Sequence, residues 1–232
     1  MEPMIDPSAR RARGRPRERV LDVDRITDAA LAVLKKDGLR GLTMRGVAAR
    51  LGVTPSALYH HVPSRDALLA AVQERFAAGL DTSGFGTLPL REALSRWAWS
   101  YLLLLRAQPE LVPVIVEVPL AQTPHTSLMY QRVIAGFAAA GWPEESIIGS
   151  MSVLETYIFG AALDSPSPDD VYAPGSSARE PLLARTYAAF SASVEDRGER
   201  PRDALFRLGV EAILTGLHQV WGSGRGWPGA PR

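Results

Sequence analysis

The chain has 232 residues, 46% of them hydrophobic and none of them cysteine; it can hold one large domain or a small one joined to a larger, without disulfides, thiolate metal sites or cysteine nucleophiles. The formal net charge of +1 is unevenly spread: residues 1–80 carry 14 Arg or Lys against 9 Asp or Glu, and the rest carry 12 against 16. Uncharged runs such as 118–131 fall short of the roughly 18–20 residues of a membrane span, and the first segment lacks the apolar stretch of a secretory signal, so a soluble, cytoplasmic chain with no membrane partner is expected.

Residues 1–20 read as a disordered arm, poor in apolar side chains and rich in Arg and Pro. Six arginines fall between Arg10 and Arg19, which fits either a nucleic-acid-facing arm or a solvated tail. From Asp24 the pattern turns helical. Ile26, Ala29, Ala30, Val33 and Leu34 share one face, and Gly38 ends the run. Thr43 reads as the N-cap of a short helix through Arg50, and Leu51-Gly52-Val53 is a break. Thr54 caps the next helix, with Pro55 at its first position, where the missing N–H costs nothing. A longer helix opens at Pro63-Ser64, with an apolar stripe of Leu68, Leu69, Val72, Phe76 and Leu80.

The Gly/Ser/Asp stretch 81–87 reads as a linker between a domain spanning 21–80 and a second spanning 81–232. Beyond it the pattern predicts helices near 88–107, 109–117, 125–140, 143–163, 178–197 and 200–221, with a surface loop over 164–178. No segment sustains a period-two alternation, so the predicted fold is all-α: a three-helix N-terminal helix-turn-helix domain followed by a larger helical domain.

Residues 43–65 carry the chemistry. Two short helices joined by a tight turn containing Gly make a helix-turn-helix. Ala48 is small where the helices cross, and Gly52 supplies a turn that needs positive φ. Val47, Leu51, Val53 and Leu58 hold the pair against the bundle. Pro55, Ser56, Tyr59 and His60 are left facing outward, small or hydrogen-bonding groups suited to a major groove about 12 Å wide. His61 is phased half toward the core.

The stretch Leu42-Thr43-Met44-Arg45-Gly46-Val47-Ala48-Ala49-Arg50-Leu51-Gly52-Val53, followed by residues 57–69, resembles the DNA-binding domain of the tetracycline-repressor (TetR) family of transcriptional regulators. The length and helix count of the remainder are similar to that family's effector-binding and dimerisation domain. The resemblance implies that Thr43, Arg45, Thr54, Pro55, Ser56, Tyr59 and His60 contact DNA bases or phosphates, and that Arg65 grips a phosphate. Arg13-Gly14-Arg15-Pro16-Arg17 resembles a minor-groove AT-hook, in which Arg13 and Arg15 would enter a narrow A·T groove.

One helix-turn-helix reads too few base pairs for an operator, so a homodimer on a palindromic operator is expected. The helices at 143–163 and 200–221 combine apolar residues with small ones (Gly149, Ser150, Gly160, Ala161; Gly209, Ala212, Gly216) and are the expected dimer faces. Trp97, Tyr101, Met129, Phe137, Met151, Tyr157 and Phe159, with Trp99, Trp142 and Tyr187, read as the lining of an apolar cavity for a small-molecule effector. Glu117, His125 and Glu155 fall inside apolar stretches and are expected to meet its polar atoms, Glu155 foremost. The expected function is a repressor released from its operator by a small, largely apolar ligand, with a ligand-independent or architectural DNA-binding protein as the alternative. No metal-ligand spacing, phosphate-binding glycine loop or nucleophile elbow is present, so no enzyme, cofactor or metal is expected.

Overall fold

A computed structural model describes residues 21–175 and 180–221; the expected arm, with Arg13 and Arg15, lies outside the described residues. The fold is all-α, with ten α-helices among the described residues. They are α1 Val23–Gly41, α2 Met44–Leu51, α3 Pro55–Tyr59, α4 Arg65–Ala77, α5 Leu90–Ala107, α6 Val112–Glu117, α7 Pro124–Ala139, α8 Glu144–Asp164, α9 Pro181–Glu195 and α10 Pro201–Trp221. Short 3-10 turns at Pro109–Leu111 and Leu120–Gln122 flank α6.

Side-chain caps set the first four helix starts. Asp22 accepts from the Arg25 N–H, Thr43 from Gly46, Thr54 from Ala57 and Ser64 from Ala67. The α1 run bends at Gly38 before its last residues. α3 ends at Tyr59.

α1, α2 and α4 close around Ile26, Ala30, Leu34, Leu42, Val47, Leu58 and Leu68, all at most 1% exposed. α4 packs on α1 through one side and on α6 and α7 through the other. The predicted stripe is buried, its last member Leu80 lying past the end of the helix, and Phe76 meets Tyr101 of α5 with ring centroids 5.2 Å apart. A second layer forms where α5 packs on α8 and α10, and α7 on α8. The two layers share one continuous apolar cluster, joined through α4.

The stretch 81–87 is therefore not a loose tether. Asp81 takes Ser100 Oγ on its N–H and Arg96 on its carboxylate, Arg132 reaches Thr82 Oγ1, and Phe85 lies so close to Gly136 that a Cβ there would sit 2.6 Å from its ring. Its Gly and Ser residues mark tight packing and turns, which composition alone reads as a linker.

α8 is, among the described residues, the one helix apolar and long enough to cross a membrane. Glu155 stands in its middle, and its apolar surplus divides between the core (Ile147, Met151, Leu154, Ile158) and exposed Ile148, Val153 and Leu163. On α10, Leu208 is 64% exposed. Gly149, Gly160 and Gly216 have open space where a side chain would go, whereas Gly209 is covered by Tyr157 of its own chain. Gly209 thus serves packing within the chain, not an open face as its composition suggested.

Candidate functional site: a nucleic-acid face and a buried polar cluster

The α2–turn–α3 unit is rigid for local reasons. Gly52 adopts φ 69°, and its N–H and that of Val53 bond back to the end of α2; a residue with a Cβ is strained there by its own backbone. Val47, Ala48, Leu58 and Val62 fill the inner side. On the outer side Thr43, Arg45, Arg50, Thr54, Pro55, Ser56, Tyr59, His60 and His61 are exposed. Tyr59 is 51% exposed, so packing does not account for it. His61, phased half inward by its spacing, faces out.

The hydroxyls of Thr43 and Thr54 accept from backbone N–H groups and keep their own hydrogens for an outside acceptor. Arg45 and Arg50 make no ion pair among the described residues, leaving two guanidinium groups beside a small-residue helix edge. The arrangement offers donors and cations on one surface and no carboxylate between them. Arg50 was not singled out from the sequence; it lies five residues beyond Arg45, at the end of α2. Arg65, by contrast, turns to protein: its Nε donates to the Leu42 carbonyl at 3.2 Å and its Nη1 to Glu117 Oε1 at 3.1 Å.

In the larger body the expected cavity lining is instead closed packing. Trp97, Tyr101, Met129, Phe137 and Met151 are each at most 5% exposed. Trp97 meets Tyr101 edge-on at 5.4 Å, and Tyr101 meets Phe159 at 5.8 Å. Two cavities lie elsewhere. One of about 380 Å³ runs between α8 and α10 beside Tyr157, Arg106 and Arg202, and one of about 340 Å³ lies beside Trp142 and His218. Of the expected lining residues, Tyr157 borders the first and Trp142 the second.

Glu117 and His125 lie at the surface, each paired with a residue of α4. Glu117 is 47% exposed and paired with Arg65. The His125 side chain is 76% exposed, with Nδ1 2.6 Å from Glu74. Both sit at helix ends.

Glu155 does lie inside. Tyr130 Oη donates to Glu155 Oε1 at 2.5 Å. Burial pushes the Glu155 carboxyl above the usual range, and hydrogen bonds from Tyr130 and Tyr101 only partly oppose this. Burial and then the nearby carboxylate push the Tyr101 and Tyr130 phenols up as well, keeping both protonated as donors. Close packing leaves Trp97 Nε1, Ser150 Oγ and Gln73 Oε1 buried with no hydrogen-bond partner among the described residues. A buried polar atom without a partner is costly. Tyr130, Gln73 and Ser150 were missed from sequence. Only their polarity in helices otherwise facing the core marks them. Among the described residues no group of three metal-ligating side chains occurs.

The family profile described as "Bacterial regulatory proteins, tetR family" matches residues 26–72, and "Tetracyclin repressor-like, C-terminal domain" matches residues 86–221. The chain is 27% identical to the HTH-type transcriptional repressor DrrR1 of Streptomyces coeruleorubidus, over 97% of this chain and 87% of that one. Its fold is similar to that of the TetR family protein ActR of Streptomyces coelicolor in complex with actinorhodin (TM-score 0.66, 24% identity, 89% of this chain and 100% of that one). It is also similar to a TetR variant from Acinetobacter baumannii in complex with minocycline (TM-score 0.67, 21% identity, 91% and 100%).

Proposed function

Because the chain belongs to the tetracycline-repressor family of transcriptional regulators, we propose that it works as a cytoplasmic homodimeric repressor whose two α3 helices read an inverted repeat and whose effector is a small, largely apolar molecule. It is a DNA-binding, ligand-responsive regulator. Residues 21–80 act as the reading head and 81–232 as the effector and dimerisation body. Repression has the support of a relative that carries the name of a repressor. A ring-rich effector has the support of two proteins of similar fold, whose complexes hold actinorhodin and minocycline.

A single observation carries the reading. The outer edge of α2–turn–α3 is polar, cationic and rigidly capped, while its inner edge is fully spent on the core. Arg45, Thr43, Thr54, Pro55, Ser56, Tyr59 and His60 meet bases and phosphates there, and the arm through Arg13 and Arg15 follows the adjacent minor groove. Pairing uses the outward faces of α8 and α10, whose exposed Ile148, Val153, Leu163 and Leu208 have no other cover among the described residues. The effector enters among Trp97, Tyr101, Tyr130 and Glu155 when the body opens. It shifts the dimer between two spacings of α3, by its differential affinity for them and no more.

Substitution tests the face directly. Arg45→Ala and Tyr59→Ala should each weaken operator binding by about 1–3 kcal/mol, the worth of a good base or charged contact, with the melting temperature unchanged. Wild-type affinity in both variants would refute the assignment.

A further inference from the structure

Arg65 opens α4, where the family resemblance expects a phosphate contact, yet its Nε and Nη1 both donate to protein. The Leu42 carbonyl that it reaches belongs to a fully buried residue just ahead of the N-cap of α2. Glu117, its other partner, is the last residue of α6 in the larger body. One side chain therefore ties together the start of the helix-turn-helix, the foot of α4 and the end of α6. Two acceptors in fixed directions suit a guanidinium, and an ammonium point charge does not replace it.

Further along α4 there is a second tie. Glu74 accepts from the backbone N–H groups of His125 and Thr126 and from Thr126 Oγ1, at 2.8–2.9 Å. The Glu74 carboxylate is largely buried, whereas the Arg65–Glu117 pair is 38% and 47% exposed. α4 is thus anchored firmly on α7 and more weakly on α6, and the weaker tie also grips the reading head.

We propose that Arg65 is a positioning residue, a strut that fixes the helix-turn-helix against α6 through Leu42 and Glu117, so that a displacement of α6 reaches α2 without passing through the core. The inference rests on the reading of the chain as a DNA-binding, ligand-responsive regulator. It assigns Arg65 to coupling between the two parts and not to gripping a phosphate.

The test uses the full chain, a duplex that the wild-type protein selects from random DNA, and four variants: Arg65→Ala, Arg65→Lys, Glu117→Gln, and the Arg65→Ala/Glu117→Gln double. A strut predicts that each single variant weakens binding about two- to five-fold, the scale of an exposed ion pair. The double variant is no worse than either single, and the slope of affinity against salt stays at its wild-type value. A phosphate grip instead lowers that slope by about one in Arg65→Ala, leaves Arg65→Lys near wild type, and makes Glu117→Gln silent or tighter-binding. That pattern overturns the proposal. Hydrogen exchange on the protein alone gives a second readout. Glu117→Gln should speed exchange at residues 43–47 as well as at 112–118, and unchanged protection at 43–47 overturns the strut. A wild-type chain that selects no duplex would sink the regulator reading, and the exchange result would still decide the strut.

Discussion

At Gly52 the backbone holds φ 69° with open space where a Cβ would go, so the whole cost of a side chain there is conformational. Gly52→Ala should destabilise the fold by about 1–2 kcal/mol in a denaturant titration, and loosen the angle between α2 and α3. Glu155 is the opposite kind of residue, a carboxyl whose ionisation burial opposes. Its carboxyl is pushed up by burial. Its stabilising contribution is therefore complete below the ordinary glutamate range near pH 4.3 and is lost as pH rises through its folded value. Glu155→Gln keeps an acceptor for Tyr130 and removes the charge. It should make the melting temperature less dependent on pH above that range, while blunting the response of DNA binding to effector. A lowered melting temperature at neutral pH would show that the ionised carboxylate is a structural asset.

Among the elements, α8 and α10 carry the exposed leucine, isoleucine and valine side chains that a paired form would cover. Leu208→Glu should yield a helical monomer by sedimentation, with operator binding weakened about tenfold or more because half-sites are no longer engaged together. A dimer of unchanged strength would move the interface elsewhere. The same elements show how far the sequence could be read. The α4 stripe was legible because thirteen consecutive helical residues give periodicity time to declare a face. α6 has six residues and begins at a 3-10 turn, which resets its phase, so the spacing around Glu117 could not say that it points outward. The partners of Glu117 and His125 lie 52 and 51 residues away, beyond the reach of any local pattern. Closed packing around Trp97 was illegible for a related reason: aromatic content predicts burial, and whether buried rings enclose space depends on how three helices cross.

For the whole molecule, two carboxylates set opposing acid responses. Burial alone would push Glu74 up, but the Thr126 and His125 hydrogen bonds outweigh it and hold the carboxyl below the usual range. The stability it contributes is present above the ordinary glutamate value and is lost as pH falls through its lower folded one, the reverse of Glu155. Glu74→Gln should therefore flatten the loss of stability on acidification below about pH 4.3, measured by thermal unfolding across pH, and weaken the hold of α4 on α7. Charge, caps and turn chemistry made the reading head legible in one dimension, while the coupling between head and body exists only in three. The most direct measurement is selection of bound duplexes from random DNA with the intact chain. An enriched inverted repeat, its half-site centres one helical turn apart at about 34–36 Å, is the predicted result. Absence of enrichment, or a lone half-site without symmetry, would contradict paired reading by α3.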